Sequence, residues 1–237
     1  MIEVIGLKKN FGKVEALKGL SFQVEPGIIF GLLGPNGAGK TTAIRITSSI
    51  IKPTAGTVKV DGVDVVENPG EARKRLGILY ENTGLYRRLT GEENILYFAG
   101  LYGLDDKLAR ERMEEYFSVL EVDYAKRQAG QYSKGMVQKI ALVRALIADP
   151  QIVLLDEPTA GLDVTSARKV RESLNFLKNR NKTVVISTHL MSEVEALCDK
   201  IVIIDRGLLL EEGTAGEIKA KYGAYNLEEA FIKAVKQ

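Results

Sequence analysis

Eight consecutive residues, Gly34-Pro35-Asn36-Gly37-Ala38-Gly39-Lys40-Thr41, have the composition of a phosphate cradle. They fit the pattern G-x-x-x-x-G-K-[ST]. Glycines let a backbone wrap a phosphate without side-chain clash. The amides of such a loop, and of the helix it opens, point at the anion. On this reading Lys40 neutralises charge on the β- and γ-phosphates, the Thr41 hydroxyl ligates Mg2+, and Thr42 touches the α-phosphate region. Further along, Asp156 and Glu157 close the apolar run Ile152-Val153-Leu154-Leu155. Phosphoryl transfer uses two such acids, one to hold Mg2+ and one to orient and polarise the nucleophile. Taken alone the pair also fits a solvated acidic turn at a strand end; the phosphate loop in the same chain favours the chemical reading. His189 is the sole histidine and follows Val184-Val185-Ile186-Ser187-Thr188. A histidine at the carboxyl end of a parallel strand lies where open α/β sheets bind ligands, within reach of a γ-phosphate. Its rival role is to cap the next helix. Ser192-Glu193-Val194-Glu195 has the better capping residues for that task.

These residues need a scaffold. Residues 28–33 form an apolar strand ahead of the loop, and residues 41–51 have helical character up to the stop Lys52-Pro53-Thr54-Ala55-Gly56. The runs 152–155 and 184–187 are continuously apolar, as in a parallel sheet buried on both faces. Residues 201–204 and 208–210 flank Asp205-Arg206-Gly207 as a hairpin. Residues 3–24 and 58–66 alternate like antiparallel strands. From about 89 to 149 the pattern is helical: Thr90-Gly91-Glu92-Glu93 is a capping box, and helical periodicity continues through 108–120 and 137–148. The expected architecture is an α/β core with an inserted α-helical segment. Residues 214–237 read as a short polar tail with a last helix near 226–236.

Composition sets limits. A chain of 237 residues suits one large α/β domain or two small ones. A net charge of +2, from 33 basic and 31 acidic side chains, gives no strong field toward nucleic acid or anionic lipid. One cysteine, Cys198, excludes an intrachain disulfide and fits a reducing compartment. The opening Met1-Ile2-Glu3-Val4-Ile5-Gly6 lacks the charged and apolar regions of a secretory signal. No stretch approaches the ~20 apolar residues that span a bilayer. A membrane attachment is therefore expected only through a partner.

Tyr132-Ser133-Lys134-Gly135-Met136 precedes a helix about twenty residues before Asp156. It resembles the ABC signature, usually written LSGGQ. With the phosphate loop, Asp156-Glu157 and His189 in this order, residues 1–213 resemble an ATP-binding cassette. The resemblance implies a P-loop NTPase core with an N-terminal antiparallel β subdomain and an inserted α-helical subdomain at about 89–149. It leaves 214–237 as a C-terminal tail. It also implies ATP and Mg2+ as ligands, with Glu157, His189 and Lys40 catalytic. Ser133, Lys134, Gly135 and Met136 would face the γ-phosphate held by a second ATPase subunit. Two chains, in the simplest case a homodimer, then pair head to tail around two ATPs. Phe11, before Gly12, resembles the aromatic residue that stacks on adenine. Pro158-Thr159-Ala160-Gly161-Leu162-Asp163 resembles the loop that crosses the dimer interface, with Asp163 at its end.

Two positions depart from the family pattern. Glu81 stands where a glutamine is usual, so the expected metal set is Thr41, Asp156 and Glu81, unless Asn82 takes that place. Lys134 and Met136 replace Gly and Gln in the signature. Together with Thr83-Gly84-Leu85-Tyr86-Arg87-Arg88-Leu89-Thr90, these departures resemble the subgroup that works with ABC-2-type membrane subunits, which includes exporters of drugs, polysaccharides and lipids. Residues 81–86 also resemble ATPase subunits of sodium-extrusion systems. The implied protein is an exporter ATPase on the cytoplasmic side of a membrane, docked to an integral membrane subunit through residues 83–90, with no nucleic acid partner. A soluble ABC ATPase acting on ribosomes or DNA is the first alternative; two cassettes or a long coiled coil would mark it, and neither pattern is present. An importer ATPase is the second alternative. The transported substance is not encoded in these residues.

Overall fold

A computed structural model describes residues 1–82 and 84–236. The chain begins with β1 (Ile2–Phe11), β2 (Val14–Val24), β3 (Ile29–Leu33), α1 (Lys40–Thr47), β4 (Ala55–Val60), β5 (Val63–Asp64), α2 (Pro69–Arg73) and β6 (Leu76–Leu79). It continues through α3 (Gly91–Leu101), α4 (Asp106–Leu120), a 3-10 turn (Ala129–Gln131) and α5 (Lys134–Leu146). It ends with β7 (Ile152–Asp156), α6 (Val164–Asn179), β8 (Thr183–Thr188), α7 (Met191–Leu197), β9 (Lys200–Asp205), β10 (Leu208–Gly213), α8 (Ala215–Tyr222) and α9 (Leu227–Val235).

Six strands form one sheet in the order β10-β9-β3-β8-β7-β6, parallel except for β10. Every residue of β3, β7 and β8 is buried. Successive side chains point to opposite faces, and here both faces are covered. Ile152, Leu154 and Val185 face a core that includes Ile44 of α1 and Ile2, Leu20 and Val58 of the antiparallel sheet β2-β1-β4-β5. Val153, Leu155 and Val184 face a second core built with Ile95 of α3, Phe117 of α4, Leu142 of α5 and Leu174 of α6. Two covered faces are the reason these strands read as continuous apolar runs. The register sets Leu33 beside Thr188 and Asp156 beside Ser187. The glycine loop, the acids and His189 thus leave the sheet along one carboxyl edge.

Several expectations change. The helix expected over 41–51 ends at Thr47. Ser48 turns its hydroxyl back onto the Ile44 and Arg45 carbonyls, and Ser49 is left-handed at φ 59°. A serine competing for its own helix carbonyls is a stop signal. Ser192-Glu195 does not cap α7: the helix starts at Met191, and the Leu190 amide donates to Thr188 Oγ1 at 3.1 Å. Glu193 instead turns inward. The alternation at 58–66 is split into β4 and β5 by a tight turn at Asp61-Gly62, both at positive φ (46° and 77°), and it ends after β5, where Asp64 Oδ1 accepts from the Val66 and Glu67 amides and curls the chain. Residues 214–236 hold two helices rather than one in a polar tail. Thr214 and Glu217 make a capping box for α8, and Ile218, Leu227 and Ala230 share a third core with Leu33, Val194 and Ile203. Burial of Ile218 and Leu227 contributes about 1.5–3 kcal/mol each. Thr83, first residue of the expected docking segment, and Gln237 lie outside the described residues.

Candidate functional site

β3 runs into the glycine loop and the loop into α1. A Cβ on Gly34 would meet the Ile204 carbonyl oxygen at 2.1 Å, and Gly39 has φ +109° with Leu17 Cδ2 2.6 Å from where a Cβ would stand. Both positions therefore require glycine. Lys40 is the first residue of α1 and only 5% exposed. Its Nζ donates to the Gly34 carbonyl at 2.7 Å and the Pro35 carbonyl at 3.2 Å, and lies 3.3 Å from Glu157 Oε1. Thr41 donates its hydroxyl to Asp156 Oδ1 at 3.0 Å.

Asp156, the last residue of β7, also accepts from Ser187 Oγ at 2.5 Å. Glu157 follows with φ 50°, a left-handed state that costs a residue with a side chain about 1–2 kcal/mol. Its amide donates to the Ser187 carbonyl and hydroxyl, each at 3.1 Å. Its Oε2 lies 3.0 Å from His189 Nδ1. The carboxylate thus bridges Lys40 and His189. Asn36, Gly37, Ala38, Gly39, Lys40, Thr41, Thr42, Glu81, Glu157 and His189 line one cavity of about 350 Å³, with Ala16 and Ala160. Gly34 and Pro35 form the base of the loop through their contacts with Lys40, and Asp156 meets the site through Thr41.

The other expected residues lie elsewhere. Phe11 is half exposed at the end of β1, with the Lys9 ammonium 5.0 Å from its ring, and is not among the residues lining the cavity. Ser133 caps α5 by accepting from the Met136 amide at 3.3 Å. Gly135 is packed so closely that a Cβ would stand 2.6 Å from Ser166 Oγ. Ser133 to Met136 do not line the phosphate-loop cavity within their own chain; Lys134 lines a neighbouring one with Glu81, Asn82 and Tyr132. Asn82 reaches that neighbour, whereas Glu81 lines both. Asp163 caps α6, accepting from the Ser166 amide at 2.9 Å, and hydrogen bonds from Ser166 hold its carboxyl below the usual carboxylate range.

The family model described as ABC transporter matches residues 17–160. This chain belongs to the ABC transporter family. It is 45% identical over 221 residues to the ABC transporter ATP-binding protein NatA of Bacillus subtilis, covering 92% of this chain and 90% of that protein. It is 37% identical over 234 residues to the daunorubicin resistance ATP-binding protein DrrA3 of Streptomyces coeruleorubidus, covering 98% of this chain and 74% of that protein. Its fold is similar, with TM-score 0.81 and 26% identity, to a dimeric ATP-binding cassette in a post-hydrolysis state bound to ADP and Pi, covering 90% of this chain and 98% of that one. The protein is an ABC ATPase, an ATP-binding subunit that hydrolyses ATP.

In this ABC ATPase the residue that sequence reasoning missed is Ser187. Its hydroxyl joins both acids, and its visible signal is a polar residue inside an otherwise apolar strand. Ala16, brought over the loop by the β1–β2 hairpin, carries no such signal. The Thr41 and Asp156 oxygens fit Mg2+, which takes few protein oxygens and fills its octahedron with water and phosphate. Among the described residues no group of three or more His, Cys, Asp or Glu side chains is arranged to hold a metal ion.

Proposed function

We propose that this ATPase powers export through a separate integral membrane subunit of the ABC-2 type, hydrolysing ATP when two cassettes close on each other. The observation that carries the chemistry is Glu157, set between Lys40 and His189 over the phosphate-loop cavity. Residues 34–42 bind the triphosphate, and Phe11 stacks on the adenine. Lys40 leaves Glu157 for the β- and γ-phosphates, which frees the carboxylate to act as base. Glu157 takes a proton from a water as that oxygen bonds to the γ-phosphorus and the bond to the bridging oxygen breaks, releasing ADP and phosphate. Lys40 and His189 stabilise the charge that develops on the transferred group. Thr41 and Asp156, with Glu81, hold Mg2+, which when bound neutralises phosphate charge.

Ser133 and Gly135, flanked by Lys134 and Met136, complete the site of a second cassette, and Asp163 lies at the same interface. Support comes from α5, whose first turn carries no acid and so favours an anion, and from the dimeric cassette with ADP and Pi. Export is supported by the similarity to NatA and to a daunorubicin resistance protein. No helix among the described residues is long and apolar enough to cross a membrane. The membrane subunit docks beside Glu81 and Arg88, where Tyr86, Tyr97 and Tyr102 present exposed rings. The ATPase then sits on the cytoplasmic face.

Glu157→Gln tests the chemistry: turnover should fall by about 100-fold or more while ATP binding persists. Hydrolysis at the parent rate would remove Glu157 as the base. For transport, the tagged chain should co-purify with a multi-span membrane protein from detergent-solubilised membranes. Recovery of ribosomal or DNA-bound proteins alone would overturn it.

A further inference from the structure

Glu157 depends on its neighbours for its direction. Its φ of 50° is a backbone state that a residue with a side chain rarely adopts. The two residues after it are gripped from opposite sides. Gln138, in the second turn of α5, donates its Nε2 to the Pro158 carbonyl at 2.9 Å. Thr159 donates its hydroxyl to Glu193 Oε1, on α7, at 2.8 Å. Gln138, Thr159 and Glu193 are 6%, 5% and 4% exposed, and none of them lines the phosphate-loop cavity. Glu193 Oε2 is buried and has no hydrogen-bond partner among the described residues. A carboxylate at that depth is costly unless it is hydrogen-bonded. Among the described residues the hydrogen-bond partner of this carboxylate is the Thr159 hydroxyl.

From this geometry we infer that Gln138, Thr159 and Glu193 are positioning residues for Glu157. They lock the backbone at 157–159 so that the carboxylate stays aimed into the cavity. The inference rests on the reading of Glu157 as base. It also gives the helix that begins at Ser133 a direct mechanical link to that base, because a shift of α5 moves Gln138 and with it the Pro158 carbonyl.

The test uses the full chain. Thr159→Val removes the hydroxyl at nearly constant volume, Thr159→Ser keeps it, and Gln138→Met removes the amide donor from the other side. Thr159→Val and Gln138→Met should each lower kcat by about tenfold or more with KM and ATP affinity changed by less than about twofold, and Thr159→Ser should stay within about twofold of the parent. In a Glu157→Gln background, Thr159→Val should cause no further loss in single-turnover rate, since it acts through a group already removed. Parent kcat in both Thr159→Val and Gln138→Met would overturn the inference. So would equal losses in Thr159→Val and Thr159→Ser, or ATP affinity falling in step with kcat. If Glu157→Gln is inactive while the two positioning variants match the parent, only this inference fails. If Glu157→Gln keeps the parent rate, the base assignment fails and takes this inference with it.

Discussion

The Ser187 hydroxyl stands between the two acids, donating to Asp156 Oδ1 and accepting from the Glu157 amide. Removing it leaves a buried carboxylate with one donor fewer, a loss of about 1–3 kcal/mol. Ser187→Ala should therefore lower the melting temperature and reduce kcat by about tenfold. A variant with the parent's melting temperature and rate would show the bridge to be idle. Lys40 raises a different question of competition. Its ammonium is shared between two loop carbonyls and Glu157, and incoming phosphate must win it from the carboxylate. Neutralising that carboxylate removes one competitor. Glu157→Gln should thus bind ATP more tightly than the parent, by about two- to tenfold, in a fluorescence titration. Weaker binding would mean that the pair helps to preorganise the loop.

At the level of single elements, α3 shows how local rules shape the proposed docking face. Thr90 Oγ1 accepts from the Glu93 amide at 3.1 Å, and Glu93 Oε2 accepts from the Thr90 amide at 2.7 Å. Asn94, wholly buried one turn into the helix, accepts from the Tyr86 amide at 2.7 Å and donates to the Tyr86 and Thr90 carbonyls. The helix start and the chain before it are thus one hydrogen-bonded unit. Thr90→Ala should cost about 1 kcal/mol in urea unfolding. It should leave ATP hydrolysis by the isolated chain unchanged, because none of these groups lines the phosphate-loop cavity. A stability equal to the parent's would mean that tertiary packing alone holds the helix start. The capping box was legible as four letters, whereas the Asn94 strap was not. An asparagine in a helix reads as a surface residue until the chain ahead of it folds back over it.

For the molecule as a whole, the last two helices belong to the core, and one carboxylate fastens α8 to the sheet. Glu211 on β10 is 9% exposed and accepts from Lys221 at 2.6 and 2.7 Å and from the Tyr222 hydroxyl. Burial pushes its pKa up, but the bonds from Lys221 and Tyr222 outweigh burial and hold it below the usual range. A carboxyl depressed in the folded state stabilises fully above its unfolded value, about 4.3, and loses that contribution as pH falls through the folded value. Glu211→Gln should therefore be less stable than the parent at pH 7, with the gap closing below about pH 4. A gap of constant size across a melting series from pH 3 to 7 would assign the loss to packing instead.

What the residues determined by themselves was the α/β class, carried by buried apolar runs, and the contiguous groups proposed to do the chemistry: the loop at 34–41, the acids at 156–157 and the histidine after its strand. Each is a local pattern, and local patterns survive in a one-dimensional text because neighbours in the chain stay neighbours in space. Only the tertiary structure decided how these groups meet. The order β3-β8-β7 sets Ser187 opposite Asp156 across a parallel pair, and brings Lys40 to Glu157 across 117 positions (157 less 40). Ser192 lost the capping role that its spacing suggested, because the helix starts at Met191 and the Val194 amide already donates to the Leu190 carbonyl. Glu193 turned inward to the loop after Glu157. Parallel strands are joined by long crossovers, so the partners of a buried polar group lie far away in sequence, and no spacing rule records them.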